Sequence, residues 1–163
     1  IKRLQEIKSQ FELRNIEVKP IILIRDPLSR IKSAVRSNLD KKNYYEGIKF
    51  GETDFLNALK QYYTSEHCKQ YTNYHKIITN AFEVFGENKV YIGIYENMFL
   101  NENIDKLSNY LGVNSIHEYS KVYVNKTLGS TEETEFDKTI KNFYIEVYKF
   151  CNKNFPSTNE LWK

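Results

Sequence analysis

The sequence predicts an α/β fold in which a short parallel sheet is flanked by helices. Two apolar segments and the chain between them carry this prediction. Ile21–Ile24 is a continuous apolar run of the kind that a strand covered on both faces needs, and Val90–Ile94 is a second strand that follows a Gly-Glu-Asn turn. The stretch between them has helical spacing, and a helical crossover is the usual connection between parallel strands. We therefore expect a single domain over residues 1–163.

Apolar spacing and capping residues predict helices around both strands. The strands are expected at residues 20–25 and 90–94. Helices are expected at residues 2–15, at 27–39, from Thr53 or Asp54 onward, at 65–85, up to Leu111, and at 132–154. The last helix should bury five apolar side chains, namely Phe136, Ile140, Phe143, Val147 and Phe150.

The junction between the first strand and the next helix carries groups that suit an anion. Arg25 ends the strand, Asp26 is a good N-cap and Pro27 suits the first helical position. The polar face of the helix then carries Ser29, Arg30, Ser33 and Arg36. Charge-assisted hydrogen bonds, worth about 1.5 to 3 kcal/mol each, should outweigh the helix dipole, worth about 0.3 to 1 kcal/mol. The pattern therefore indicates a phosphate site.

This junction resembles the segment of PAPS-dependent sulfotransferases that grips the 3′-phosphate of the sulfate donor. Arg25-Asp26-Pro27 is followed by Arg30 and then by Ser33, eight positions after Arg25, with Arg25 and Ser33 at the matching places in the pattern. The resemblance implies that Arg25 and Ser33 bind the 3′-phosphate of PAPS and of its product PAP. It also implies a P-loop-NTPase-like sulfotransferase fold.

A second set of residues extends the resemblance along the chain. Tyr95-Glu96 at the end of the second strand and Leu111-Gly112 at the end of the next helix look like family elements in the same order. The resemblance implies that Tyr95 contacts the adenine of the donor. A strand-end aromatic residue that packs on the core is the alternative.

Lys126 lies in VNKTLGS, before the last predicted helix. Together with Gly129 it resembles a basic, glycine-containing loop that folds over the donor's phosphates in the family. The alternative is an exposed lysine in a polar loop. Aromatic residues between Tyr44 and Tyr74 can stack on a small-molecule or carbohydrate acceptor, or can belong to the core: Tyr44, Tyr45, Phe50, Tyr62 and Tyr63.

One part of the family pattern is missing before Lys19. The family holds the donor's 5′-phosphosulfate with a glycine-rich loop upstream of the strand that ends at Arg25, and residues 1–19 contain no such loop. A fragment of a longer protein, a degenerate relative and a misleading resemblance are all open. The start at Ile1 favours a fragment whose fold is incomplete at the N-terminus. No residue matches the family's catalytic base.

The implied reaction is transfer of a sulfonate group from PAPS to a hydroxyl or amine of a small-molecule or carbohydrate acceptor. Two alternatives belong to other classes of protein. One is a non-catalytic sulfotransferase-like binding module. The other is a different nucleotide-dependent phosphotransferase, although the chain has no GxxxxGK[ST] loop.

Composition and charge limit the classes of protein to which the chain can belong. A net charge of +3 and a pI near 8.7 are too weakly basic to indicate nucleic-acid binding. No apolar stretch reaches the roughly 20 residues of a membrane span, and the first ten residues are not a signal peptide. Cys68 and Cys151 have no metal-type spacing and are expected to be free thiols, although a disulfide is not excluded. We expect a cytoplasmic protein, or one of the Golgi lumen if the source is eukaryotic.

Overall fold

The computed structural model describes residues 1–121 and 133–162. Its helices are α1 (Lys2–Glu12), α2 (Pro27–Asp40), α3 (Phe55–Tyr62), α4 (Glu66–Thr72), α5 (Tyr74–Phe85), α6 (Asn101–Leu111), α7 (Asp137–Phe143), α8 (Ile145–Asn154) and α9 (Thr158–Leu161). Its strands are β1 (Ile21–Ile24), β2 (Tyr44–Tyr45), β3 (Ile48–Lys49) and β4 (Tyr91–Ile94). Short 3₁₀ turns cover Phe50–Glu52, Glu87–Lys89 and Glu118–Lys121.

The described residues divide into two compact units. The first unit contains residues 1–25 and 75–121, and the second contains residues 26–74 and 133–162.

The sheet of the first unit is a parallel pair. Strand β1 pairs with β4 from Ile21 opposite Tyr91 to Ile24 opposite Ile94. The Tyr95 amide donates to the Ile24 carbonyl at 2.8 Å and extends the ladder by one residue. The chain is therefore mixed α/β, mostly helical with a short parallel sheet, and the two predicted parallel strands are confirmed.

Strand β1 is buried on one face and only partly covered on the other, so the expectation of a strand buried on both faces was wrong. Ile24 is fully buried, whereas Ile21 and Leu23 are 41% and 45% exposed. Alternate residues of a strand point to opposite faces. Ile22 packs on a cluster around Ala81, Val84 and Phe85, while Ile21 and Leu23 lie on the other face, which is partly open.

The core of the second unit forms where α2 packs on α3 and α7. Its fully buried aliphatic residues include Ile31, Val35, Ala58, Leu59, Ile140 and Val147. Asp54 accepts a hydrogen bond from the Asn57 amide at 2.9 Å and caps α3, which confirms the helix start predicted there.

Two predicted long helices are each divided in two. The segment 65–85 breaks at Asn73, whose ψ of 64° is not helical, and the Thr72 hydroxyl donates to the Cys68 carbonyl at 2.7 Å. The last helix breaks at Tyr144, between α7 and α8. This break changes which face is buried: Phe143 is exposed, and Tyr144 and Tyr148 are buried instead.

The hairpin of β2 and β3 was not predicted. Glu46 and Gly47 have φ values of 48° and 85°, and positive φ at both central residues is what a two-residue type I′ turn requires. The local sign of this hairpin in the sequence was the Glu-Gly pair. The strands on either side have two residues each, which is too few to show an alternating pattern.

Cys68 and Cys151 are free thiols, as expected, and both are buried. Burial raises the pKa of the Cys151 thiol to about 12. Among residues 1–121 and 133–162, no helix combines the length and apolar character needed to cross a membrane.

Candidate functional site

Arg25 and Tyr95 meet at the carboxyl ends of the two parallel strands. The guanidinium carbon of Arg25 lies 4.6 Å from the centroid of the Tyr95 ring. Both residues directly follow their strands, and ligands of open α/β sheets bind at this end of the strands. The structure thus brings together two of the residues that the sequence assigned to the donor.

This edge is accessible to a ligand. Tyr95 is 43% exposed, and Arg25 is half-buried. Phe99 is also exposed and packs against Tyr95 with ring centroids 6.2 Å apart, nearly perpendicular. A planar guanidinium beside exposed aromatic rings can bind phosphate oxygens and a flat base at the same place. Phe99 was not singled out from the sequence, although its position four residues after Tyr95 was the available signal.

The start of α2, in the second unit, is built around Asp26. Its carboxylate accepts a hydrogen bond from the Ser29 amide at 2.8 Å, and Pro27 occupies the first turn, so the predicted N-cap is confirmed. The Tyr148 hydroxyl donates to the same carboxylate at 2.6 Å and accepts from the Leu28 amide at 3.2 Å. Asp26 is therefore a structural residue of this helix.

Tyr148 could not be found from the sequence because it lies 122 positions from Asp26. Burial, and then the neighbouring Asp26 carboxylate, raise the pKa of Tyr148 above its ordinary value. The hydroxyl therefore stays protonated and remains the donor of this hydrogen bond at physiological pH.

Ser33 lies on α2 and is half-buried. The two arginines predicted to share its anion-binding face have other contacts. Arg30 places Nη2 at 3.3 Å from Cys68 Sγ, and Arg36 lies over the Phe55 ring, 5.1 Å from its centroid. Because both guanidinium groups contact residues of the second unit, the predicted arginine-rich face of α2 is not what the structure presents.

A buried ion pair also involves α2. Lys32 Nζ lies 2.6 Å from Asp137 Oδ2, and both side chains are largely buried. Burial alone would raise the pKa of Asp137, but hydrogen bonds from Lys32 and Thr134 outweigh it and hold the pKa below its ordinary value.

Four of the five aromatic residues proposed for the acceptor fall into two groups, and the fifth, Tyr63, packs against Phe143. Phe50 and Tyr62 belong to the core, because each is about 1% exposed. Tyr44 is exposed, and Tyr45 stacks on His67 with ring centroids 4.4 Å apart. The Tyr62 hydroxyl and His67 Nδ1 are 3.0 Å apart. The region therefore does not present five aromatic rings to one ligand.

The roles assigned to Ser33 and Lys126 stay predictions. Arg25 belongs to the first unit and Ser33 to the second, and their pairing around one phosphate stays a prediction. Lys126 lies outside the described residues, so its role over the donor's phosphates stays a prediction as well.

Among the residues that the structure describes, no group of three or more His, Cys, Asp or Glu side chains could hold a metal ion. The candidate site therefore consists of Arg25 and Tyr95 at the carboxyl edge of a parallel strand pair. A capped helix follows Arg25 in the chain. Comparison with protein-family models, with curated proteins and with solved structures finds no match for this chain.

Proposed function

We propose that this chain binds the 3′-phosphoadenosine part of PAPS and takes part in sulfonate transfer. The observation that carries the proposal is the contact between Arg25 and Tyr95, 4.6 Å from guanidinium carbon to ring centroid, at the carboxyl ends of β1 and β4. The resemblance assigned these two residues to the 3′-phosphate and the adenine of one nucleotide. Two groups assigned to one ligand should lie side by side, and these do.

The chemistry of the two side chains fits that ligand. A guanidinium offers five donors in a fixed plane, and it binds phosphate oxygens through charge-assisted hydrogen bonds. An aromatic ring beside it offers stacking surface or edge contacts to a purine. Ser33 would add a hydroxyl donor from α2, and Lys126 a second cation.

The proposed reaction transfers the sulfonate group of PAPS to a hydroxyl or amine of a small-molecule or carbohydrate acceptor. The acceptor oxygen or nitrogen forms a bond to sulfur, while the bond from sulfur to the oxygen of the 5′-phosphate breaks. The proton of the acceptor passes to a base, and PAP leaves with the electron pair of the broken bond. In this scheme Arg25 and Ser33 hold the nucleotide in place and do not touch the sulfur.

The binding step can be tested by titrating the isotopically labelled chain with PAP and with adenosine 5′-phosphate, which lacks the 3′-phosphate. We expect PAP to bind more tightly and to shift the amide signals of Arg25 and Tyr95. Arg25→Ala and Ser33→Ala should each weaken PAP binding by about 1 to 3 kcal/mol, the worth of a hydrogen bond to a charged group. Ser37→Ala, one turn further along α2, is the matched control and should leave the affinity unchanged.

Two results would contradict the proposal. One is equal affinity for the two nucleotides, and the other is unchanged PAP affinity in both Arg25→Ala and Ser33→Ala. If PAP binds as expected but no transfer from PAPS to hydroxyl or amine acceptors is detected, the binding-module alternative is favoured over the enzyme.

A further inference from the structure

We infer that Tyr95 is a positioning residue for Arg25, and that it acts on the 3′-phosphate of the nucleotide more than on the adenine. This inference rests on the proposed function and makes it more specific. Tyr95 would then determine how strongly the chain prefers nucleotides that carry a 3′-phosphate.

The backbone fixes the relative positions of the two residues. Ile24 pairs with Ile94 as the last pair of the parallel register, so Arg25 and Tyr95 are the first residues after that pair. The Tyr95 amide donates to the Ile24 carbonyl at 2.8 Å, which holds the Tyr95 backbone against the residue before Arg25. The pairing of the side chains therefore follows from the strand register.

The ring of Tyr95 is already in contact with two neighbours. The Arg25 guanidinium carbon is 4.6 Å from the ring centroid, inside the roughly 6 Å range of a cation–π contact. Phe99 packs against the same ring, nearly perpendicular to it. A ring engaged in this way has less surface to offer an adenine, and its main contact is with the cation.

A guanidinium group that is already held in position binds phosphate more tightly than a mobile one. Arginine has a long side chain that loses rotamer freedom when it binds, and a contact made before binding reduces that entropic cost. Removing the ring should therefore weaken only the interaction of Arg25 with the 3′-phosphate.

The experiment compares two nucleotides on three variants. Tyr95→Leu should weaken PAP binding about fivefold, the equivalent of a cation–π contact, and should weaken adenosine 5′-phosphate binding by less than about twofold. Tyr95→Phe keeps the ring and should retain the wild-type ratio of the two affinities. Tyr91→Leu is the matched control, because Tyr91 lies in β4, four residues before Tyr95, but packs on Tyr110, and it should also retain the ratio.

Equal weakening of both nucleotides in Tyr95→Leu would overturn the inference and would assign Tyr95 to the adenine. The same holds if PAP affinity does not change.

A second measurement needs no nucleotide. The aromatic ring current should displace the Arg25 side-chain N–H signal in an NMR spectrum, and Tyr95→Leu should move that signal while Tyr95→Phe preserves it. An unmoved signal in Tyr95→Leu would overturn the positioning role even if PAP binds. If the wild-type chain shows no preference for PAP, the proposed function fails, and the Arg25 signal still decides whether the ring holds the guanidinium.

Discussion

Arg25 and Asp26 are consecutive in the sequence, yet the two regions they belong to differ in how they use polar groups. At the carboxyl edge of β1 and β4, the Arg25 guanidinium rests on a Tyr95 ring that is partly open to solvent. At the start of α2, the Asp26 carboxylate is buried and binds the Ser29 amide and the Tyr148 hydroxyl. In the first region the side chains are partly open to solvent, whereas in the second a buried carboxylate accepts hydrogen bonds from groups of the chain.

The difference shows that a short motif can divide its roles between neighbours. In Arg-Asp-Pro, the aspartate and proline begin a helix, whereas we propose that the arginine meets a ligand. Substitutions in the second region should therefore lower stability, and substitutions in the first should change ligand binding with little effect on stability.

The largest effect on stability is expected for Asp26→Ala. It removes the N-cap, which costs about 1 kcal/mol, and leaves the buried Tyr148 hydroxyl without its acceptor, which costs about 1 to 3 kcal/mol more. The free energy of unfolding, measured by urea denaturation, should fall by about 2 to 4 kcal/mol.

Asp54→Ala provides the control for this effect. Asp54 caps α3 through the Asn57 amide, as Asp26 caps α2, but its carboxylate is exposed and its second oxygen accepts from the Asn57 side chain rather than from a buried hydroxyl. The loss of stability should be clearly smaller. Equal losses in the two variants would show that Tyr148 adds nothing to the cap.

A smaller effect, dependent on pH, is expected from the buried pair of Lys32 and Asp137. Lys32→Met should lower the free energy of unfolding at neutral pH by about 2 kcal/mol, because it removes a charge-assisted hydrogen bond from a buried carboxylate. The exposed pair of Lys149 and Glu146 is the matched control, and Lys149→Met should have almost no effect.

The sign of the pH dependence follows from the depressed pKa of Asp137 in the folded chain. A carboxylate of this kind stabilises the fold above its unfolded pKa, about 3.9, and loses that contribution as the pH falls through its folded pKa. The difference between wild type and Lys32→Met should therefore be complete at neutral pH and shrink below about pH 4. Urea denaturation at neutral and acidic pH measures it, and a difference that grows in acid would contradict the assignment.

The features that sequence predicted correctly are local. Strand β1, the Asp26 cap with Pro27 and the Asp54 cap each depend on a few consecutive residues, and each is confirmed. The breaks at Asn73 and Tyr144 were missed because apolar spacing continues across them. Backbone dihedrals and tertiary packing decide such breaks, and neither appears in a periodic pattern.

The same distinction between local and long-range features applies to the candidate site. The place of Arg25 at a strand end was readable from sequence, and its contact with Tyr95 follows once the two strands are known to be parallel. The contacts of Arg30 with Cys68 and of Tyr148 with Asp26 join residues far apart in the chain. Helical spacing places Arg30 on a polar face, but only the packed second unit determines which neighbour it contacts.

The smallest effect on stability is expected for Arg25→Leu, which tests the other side of the comparison. Leucine keeps much of the apolar stem of arginine and removes the guanidinium that lies over the Tyr95 ring. Partly exposed cation–π contacts are weak, so the free energy of unfolding should change by less than about 1 kcal/mol while PAP binding falls as it does in Arg25→Ala. Urea denaturation and a PAP titration on the same sample measure both quantities. A loss of stability as large as that of Asp26→Ala would place Arg25 with the structural residues, and the carboxyl edge would then resemble the start of α2.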